Sequence, residues 1–349
     1  MYKNQPYYIK QNGSAPQKRI TTMVYYLFPK YSLHFLKDFY ISHNPNDCHV
    51  ISPSLHHYIE EIECRIKECQ NWNVLYNHPY SLIYQYSKIN HVNLFYYEIL
   101  ELYSIMHFSW ENFYRLHSMH LGNDSYMSLK AMQTIRKNSD IDQSCVVSNL
   151  NDLTFCNNYK KLIDVVFCNA SGNNEYDNAI QLTKSMCFAL LTQKRKGACI
   201  IKYGDTFSSL SLDVISFISF FYEKVYFLKP SICDLTKSDK YIVCKNFLYD
   251  DLSERYMQMI SALFQSICTS KKKIYRIFSC SIPLFILGKL EEINSIFGQP
   301  RLEHIHQLLS ETEKNDTKIN KQKCIEWCSR YLKRNQSSPL PPRFQGEKS

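Results

Sequence analysis

Leu162-Ile163-Asp164-Val165-Val166-Phe167-Cys168 and, further on, Gly197-Ala198-Cys199-Ile200-Ile201-Lys202-Tyr203 decide how this chain is read. Each is a short apolar run rich in β-branched residues, the pattern of a strand buried on both faces. Between them, Ala179, Leu182, Met186, Ala189 and Leu190 share one helical face, which predicts a helix over Tyr176–Thr192. Leu210–Tyr222 reads as a second helix, Lys224–Leu228 as a strand and Tyr241–Lys245 as the last strand. Strand, helix, strand, helix, strand, strand implies an α/β fold. Its sheet is mostly parallel with one closing hairpin, and helices cover both faces.

Outward from this centre the pattern changes. Residues 1–20 are polar and read as a mobile arm. Leu55, Tyr58, Ile59, Ile62 and Ile66 predict an amphipathic helix over Ser54–Trp72, within a helical N-terminal extension covering 21–90. Phe95–Leu100, apolar and aromatic, and Ser144–Leu150 read as further strands. After Asp250, Met257, Ile260, Leu263, Phe264 and Ile267 form one helical face. Another helix is expected over Leu284–Phe297, so 251–333 reads as a C-terminal helical region. Glu311–Gln322 is charged and expected to be exposed. The tail 334–349, with Ser337-Ser338-Pro339-Leu340-Pro341-Pro342, reads as disordered.

The 349 residues are 45% hydrophobic and 21% charged, which suffices for a real core. Only 8 are glycine, against 27 Tyr and 20 Phe, so any glycine-built ligand loop must draw on those few. The formal charge of +9 suits a nucleic-acid partner as well as plain solubility. The start of the chain is polar and lacks the apolar segment of a secretory leader. Val214–Phe221 is too short to span a bilayer. Several of the 14 cysteines, such as Cys168, Cys187, Cys199 and Cys244, sit in apolar runs. The expectation is therefore a cytoplasmic, reduced protein with no membrane contact. Neither Cys324/Cys328 nor Cys64/Cys69 has zinc-site spacing, so no metal is expected. His56-His57 with Glu60 and Glu61 lacks the His-Glu-x-x-His pattern. There is no Gly-x-Ser-x-Gly elbow and no Gly-Lys-Ser/Thr phosphate loop.

Three segments in order carry a family resemblance: Ile163–Asn169, Gly197–Lys202, and the run from Val225-Tyr226-Phe227-Leu228-Lys229-Pro230 to Ser238-Asp239-Lys240-Tyr241-Ile242-Val243. Together they resemble the second half of the FtsJ-like RNA ribose 2'-O-methyltransferases. They look nearest to the divergent cap-modifying branch of large cytoplasmic DNA viruses such as African swine fever virus. The resemblance implies a Rossmann-like methyltransferase domain over 91–250, S-adenosylmethionine as donor if the protein is active, and RNA as substrate in the cytoplasm, at a viral factory or in a virion.

It also implies a Lys-Asp-Lys-Glu tetrad, in which a central Lys lies at the ribose 2'-hydroxyl as base or as stabilising cation. Lys202 matches the central Lys at the carboxyl end of its strand. Asp239 matches the final acid, shortened by one methylene. Asn169 stands where the family has Asp and carries no charge. Asp164, about 16 Å back along the strand, cannot replace it. Leu82, or less well Lys88, falls where the first Lys is sought. The family's glycine-rich donor loop aligns with Phe95–Tyr103, where Glu98 flanks the turn and Glu101 and Leu102 stand in place of glycines. On this alignment the donor loop and the tetrad are both degraded.

Three functions follow as expectations. The first is a weak or inactive homologue that works by binding RNA or a protein partner. The basic clusters Lys194-Arg195-Lys196 and Lys271-Lys272-Lys273 are its candidate phosphate contacts. The second is an active RNA 2'-O-methyltransferase with atypical donor contacts. The third is an unrelated interaction protein.

Overall fold

The computed structural model describes residues 23–27, 39–136, 139–170, 172–250, 252–278, 283–310 and 317–332. The arm 1–20 and the tail 334–349 lie outside the described residues. The strands are β1 Met23–Leu27, β2 Phe39–Ser42, β3 His117–Gly122, β4 Gln143–Val147, β5 Ile163–Asn169, β6 Gln193–Tyr203, β7 Tyr222–Lys229, β8 Lys240–Phe247 and β9 Arg276–Phe278. The helices are α1 Pro53–Glu68, α2 Trp72–Leu75, α3 Ile83–Ser87, α4 Leu94–Ile105, α5 Ser125–Ile135, α6 Glu175–Thr192, α7 Ser209–Ser219, α8 Glu254–Thr269, α9 Leu284–Leu309 and α10 Thr317–Tyr331.

All seven residues of β5 are buried, because the strand is central and covered on both faces. Val165 and Phe167 face one core, with Ile99, Leu102 and Trp327 of α4 and α10 and Met132 of α5. Val166 and Cys168 face the other, with Leu182, Ile215, Leu263 and Leu290 of α6, α7, α8 and α9. Each strand thus supplies alternate residues to two layers of helix, which is the Rossmann-like α/β architecture. The cysteines that the sequence puts in apolar runs, Cys168, Cys187, Cys199 and Cys244, are buried as free thiols.

The main sheet runs β1-β7-β8-β6-β5-β3-β4. β4, β3, β5 and β6 are parallel. β8 inserts antiparallel between β6 and β7, the expected closing hairpin, and β1 pairs antiparallel with β7 at the edge. The stretch read as a helical extension therefore also contributes β1, as well as β2, which pairs with β9 in a separate ribbon. From β3 the chain goes to β4 on one side and then returns to β5 on the other. The strand order reverses between β3 and β5, and open α/β sheets bind ligands at the carboxyl ends beside such a reversal.

Local chemistry sets the helices that follow these strands. The Asn174 side chain accepts the Asp177 backbone N–H at 2.9 Å, and Glu175 and Asp177 occupy the first turn of α6. Ser208 caps α7 by accepting from the Ser211 N–H at 3.2 Å.

Three readings need correction. Phe95–Leu100 is not a strand but the first half of α4, in which every residue from Phe95 to Leu102 is buried. A helix buried all round shows no amphipathic period, and its aromatic run mimics a strand. The strand that belongs in that place is β3, whose polar Ser118 and His120 hid it. α9 runs on past Phe297 to Leu309, with Pro300 inside it. In addition, the charged stretch Glu311–Gln322 is not wholly exposed: its end belongs to α10, where Asn320 is buried while Lys321 and Gln322 are exposed, and α10 goes on to bury Cys324 and Trp327 against α3 and α4. Among the described residues, no helix is long and apolar enough to cross a membrane.

Candidate functional site

Four residues lie side by side across the sheet at its carboxyl end. Gly122 of β3 pairs with Asn169 of β5, Asn169 with Lys202 of β6, and Lys202 with Tyr241 of β8. This row spans the reversal point. The sheet thus brings together Lys202, Asn169 and Asp239, the three tetrad positions matched from sequence.

Gly122 has φ +80°, and a Cβ built on it would stand 2.7 Å from the backbone oxygen of Asn169. Only glycine meets both demands at once, a left-handed backbone and close approach to the next strand. The strand-to-helix turn that the sequence reading located at Glu101-Leu102 therefore lies at Gly122-Asn123-Asp124, where α5 begins. The signal available in the sequence was the scarcity of glycine itself, since Gly122 stands alone between Gly13 and Gly172.

Glu98, Glu101 and Leu102 accordingly do different work from that expected of them. Glu98 reaches up from α4, and its Oε2 takes the Lys202 ammonium at 2.8 Å. The same oxygen accepts the Tyr241 hydroxyl. Glu101 accepts the backbone N–H of Ser231 at 2.5 Å and the Trp327 indole N–H at 2.7 Å, tying α4 to the segment after β7 and to α10. Leu102 is core. Spacing held the clue: two acids one helical turn apart in an apolar run mark one face of a helix.

Asp239, just before β8, lies 3.4 Å from the Lys202 ammonium. The Phe95 ring stands 5.8 Å from that ammonium and stacks on Tyr241. Of the two positions weighed for the first Lys, Leu82 packs against the core of α4 and α10, and Lys88 is exposed at the end of α3; the charged groups that meet Lys202 are Glu98 and Asp239. Burial alone would pull the Lys202 pKa down, but Glu98 and then Asp239 outweigh it and hold the amine above the ordinary lysine range. Burial, reinforced by Glu98, raises the Tyr241 phenol well above its usual value. The centre is a fixed ammonium between a buried and a half-buried carboxylate. Such an amine has no lone pair for a proton, though its charge can still stabilise a neighbouring anion.

Asp164 lies at the other end of the sheet, where it accepts the His117 backbone N–H at 2.9 Å and pairs with Lys194. The two basic clusters separate in the same way. Lys194, Arg195 and Lys196 are at the amino end of β6, about 20–26 Å of strand from Lys202, and Arg195 is paired with Asp250 at 2.7 Å. Lys271, Lys272 and Lys273 are exposed near the carboxyl end. There a cavity of about 520 Å³ is lined by residues that include Asp239, Asn178, Phe207, Tyr275 and Lys273. Among the described residues, no group of three or more His, Cys, Asp or Glu could hold a metal ion.

A Rossmann-like sheet with polar groups gathered at the reversal of its strand order defines the class of protein. Comparison adds a relative over a short stretch. Sixty residues, 17% of this chain, are 38% identical to part of the "Cap-specific mRNA (nucleoside-2'-O-)-methyltransferase 1" of Leishmania braziliensis, and the match spans 15% of that protein's length. This similarity supports a methyltransferase-like protein related to RNA 2'-O-methyltransferases. No family model matches the chain.

Proposed function

We propose that this chain is a homologue of the RNA ribose 2'-O-methyltransferases that works by binding RNA rather than by transferring a methyl group. Residues 91–250 form its methyltransferase-like unit, and a reducing, cytoplasmic setting suits its buried thiols. The observation that carries the reading is the ion pair of Lys202 with Glu98. Two carboxylates hold Lys202 as a cation, which removes the general-base role and leaves it only the stabilisation of an anion. Asn169, beside it, supplies no charge to balance a second lysine. The exposed Lys271, Lys272 and Lys273 beside the cavity supply phosphate contacts.

A direct assay tests the reading. With S-adenosylmethionine and capped RNA, methyl incorporation should equal that of the Lys202→Ala variant, while RNA is retained in a binding assay. Incorporation that disappears in Lys202→Ala would establish an enzyme instead.

One observation favours that second reading of an active RNA 2'-O-methyltransferase: the backbone turn at Gly122 is intact. Its left-handed φ puts a strand-to-helix turn at the reversal point, where folds of this class bring ligands near the backbone. Gly122, Asn123 and Asp124 would hold S-adenosylmethionine, which supplies an electrophilic methyl group when bound. Calorimetric titration with the donor separates the two readings, since the enzyme must take it up and show heat that Gly122→Val abolishes.

A further inference from the structure

The amino end of the sheet lies opposite the cavity and has a chemistry of its own. Three neighbouring strands start there, in the order β6, β5, β3. Basic residues stand at each start: Lys194, Arg195 and Lys196 in β6, Lys160 and Lys161 before β5, and Arg115 before β3. All six are exposed. Neighbouring strands lie about 4.8 Å apart, so the three starts span about 10 Å.

The basic residues of β6 are built outward. Gln193 pairs with Ile163 and Ala198 with Val165, so residues 194–197 stand opposite Asp164 alone. The surplus leaves the sheet as a spur. Gln193 closes the base of the spur by donating from Nε2 to the Ala198 carbonyl at 2.7 Å. Lys196 takes the left-handed backbone at its tip, with φ +66°. Lys194 reaches back to Asp164, and Arg195 reaches Asp250. Among the described residues, Lys196, Lys160 and Arg115 form no ion pair, so positive charge is left over along the row.

Apolar side chains stand among these cations. Leu162 is 44% exposed, although its backbone N–H is bonded to the Thr192 carbonyl at 3.1 Å. Tyr114, next to Arg115, is 87% exposed. His117 Nδ1 lies 3.0 Å from the Leu162 carbonyl oxygen and ties the starts of β3 and β5 together. Tyr and Arg are the side chains most often central to protein interfaces.

The paired acids decide which polymer fits. A nucleic-acid strand carries a phosphate at every residue and would set one against Asp250, whose side chain is 71% exposed. An extended peptide carries charge only where its sequence puts it, and its side chains alternate in direction. It can bring carboxylates to the unpaired cations and an apolar side chain to Leu162.

We propose that the amino end of the sheet docks an acidic segment of a partner protein, its carboxylates on Arg115, Lys160 and Lys196 and an apolar side chain against Leu162 and Tyr114. About 20 Å of strand separates this surface from the carboxyl end. The partner and a ligand at the cavity can therefore be held at once, and the inference does not depend on what the cavity binds.

The test uses the whole chain and a fluorescein-labelled peptide with Glu on either side of a Leu-Phe pair, read by fluorescence anisotropy at low salt. The peptide should bind, and the same peptide with Gln for Glu should not. Lys160→Glu combined with Lys196→Glu should weaken binding by about tenfold or more, because two attractive pairs become repulsive. Leu162→Ser should weaken it at high salt as well as low, since an apolar contact is not screened. Changing Lys271, Lys272 and Lys273 to Glu should leave peptide affinity as it was, and an unlabelled single-stranded RNA oligomer should not displace the peptide. The substituted side chains are all exposed, and circular dichroism of each variant checks its fold. Failure of the Glu peptide to bind, or equal binding of the Gln peptide, overturns the proposal. Equal losses from the two basic clusters would reduce it to unspecific attraction of charge. Displacement by RNA would assign the surface to nucleic acid instead.

Discussion

His120, at the middle of β3, shows how much a single buried side chain can decide. Its Nδ1 meets the Ser128 hydroxyl at 2.8 Å and its Nε2 the Ser118 hydroxyl at 2.9 Å, while its ring stacks on Phe167. These bonds make a polar strand tolerable in the core. Burial lowers the imidazole pKa from its ordinary 6.5 to about 3, so the folded protein holds it neutral. As pH falls below 6.5 the unfolded chain takes up a proton that the folded one refuses. The stability contributed by the neutral ring is therefore full above pH 6.5 and is lost progressively toward pH 3. The limit is about 1.4 kcal/mol per pH unit. Urea unfolding at pH 7 and pH 5 should show a fall in stability that His120→Gln reduces by about one proton's worth. Equal slopes in the two proteins would mean that the ring is not kept neutral by the fold. The same polarity explains why β3 is hard to find in the sequence: Ser118 and His120 look like loop residues until Ser128 and Ser144 close around them.

At the scale of elements, α4 holds the site together. It carries Glu98 to Lys202 and, one turn on, Glu101 to the segment after β7 and to Trp327 of α10. Glu101→Ala would remove the acceptor that meets the backbone N–H groups of Ser231 and Ile232 and the Trp327 indole. A loss of about 2–4 kcal/mol is expected, along with faster hydrogen exchange in α10. Unchanged exchange there would show that α10 is held by its apolar contacts alone. α4 was also the element most open to misreading, because Phe95, Tyr96, Tyr97, Ile99, Leu100 and Leu102 surround Glu98 and Glu101 with an apolar, aromatic run that mimics a strand. α6 and α7 were legible because turn-forming Asn174 and Ser208 precede them and their apolar residues recur at helical spacing.

At the scale of the whole molecule, charge is sorted between the two ends of the sheet. Lys194 and Arg195 are spent on Asp164 and Asp250 at the amino end, while Lys271, Lys272 and Lys273 stand beside the cavity at the carboxyl end. Changing the latter three to Glu should weaken RNA binding by about tenfold or more at low salt. It should also make the affinity less dependent on salt, as fewer counterions are released. The same change at Lys194, Arg195 and Lys196 should have little effect. Equal losses from both clusters would mean that binding is spread over the surface and is not centred on the cavity.

By itself the sequence determined the order of elements from β5 to β8, the two-faced burial of the sheet and the position of Lys202 at a strand's carboxyl end. Those are local facts, carried by runs of apolar residues whose period states how each segment is buried. Only the tertiary structure decided that Gly122 forms the turn at the reversal point. It alone decided that Glu98, more than a hundred positions before Lys202 in the chain, is the partner of that lysine, and that Asp239 is the acid facing the cavity. Such pairings depend on which strands become neighbours and on what packs beneath them, and nothing in a segment's own composition records its neighbours across a sheet.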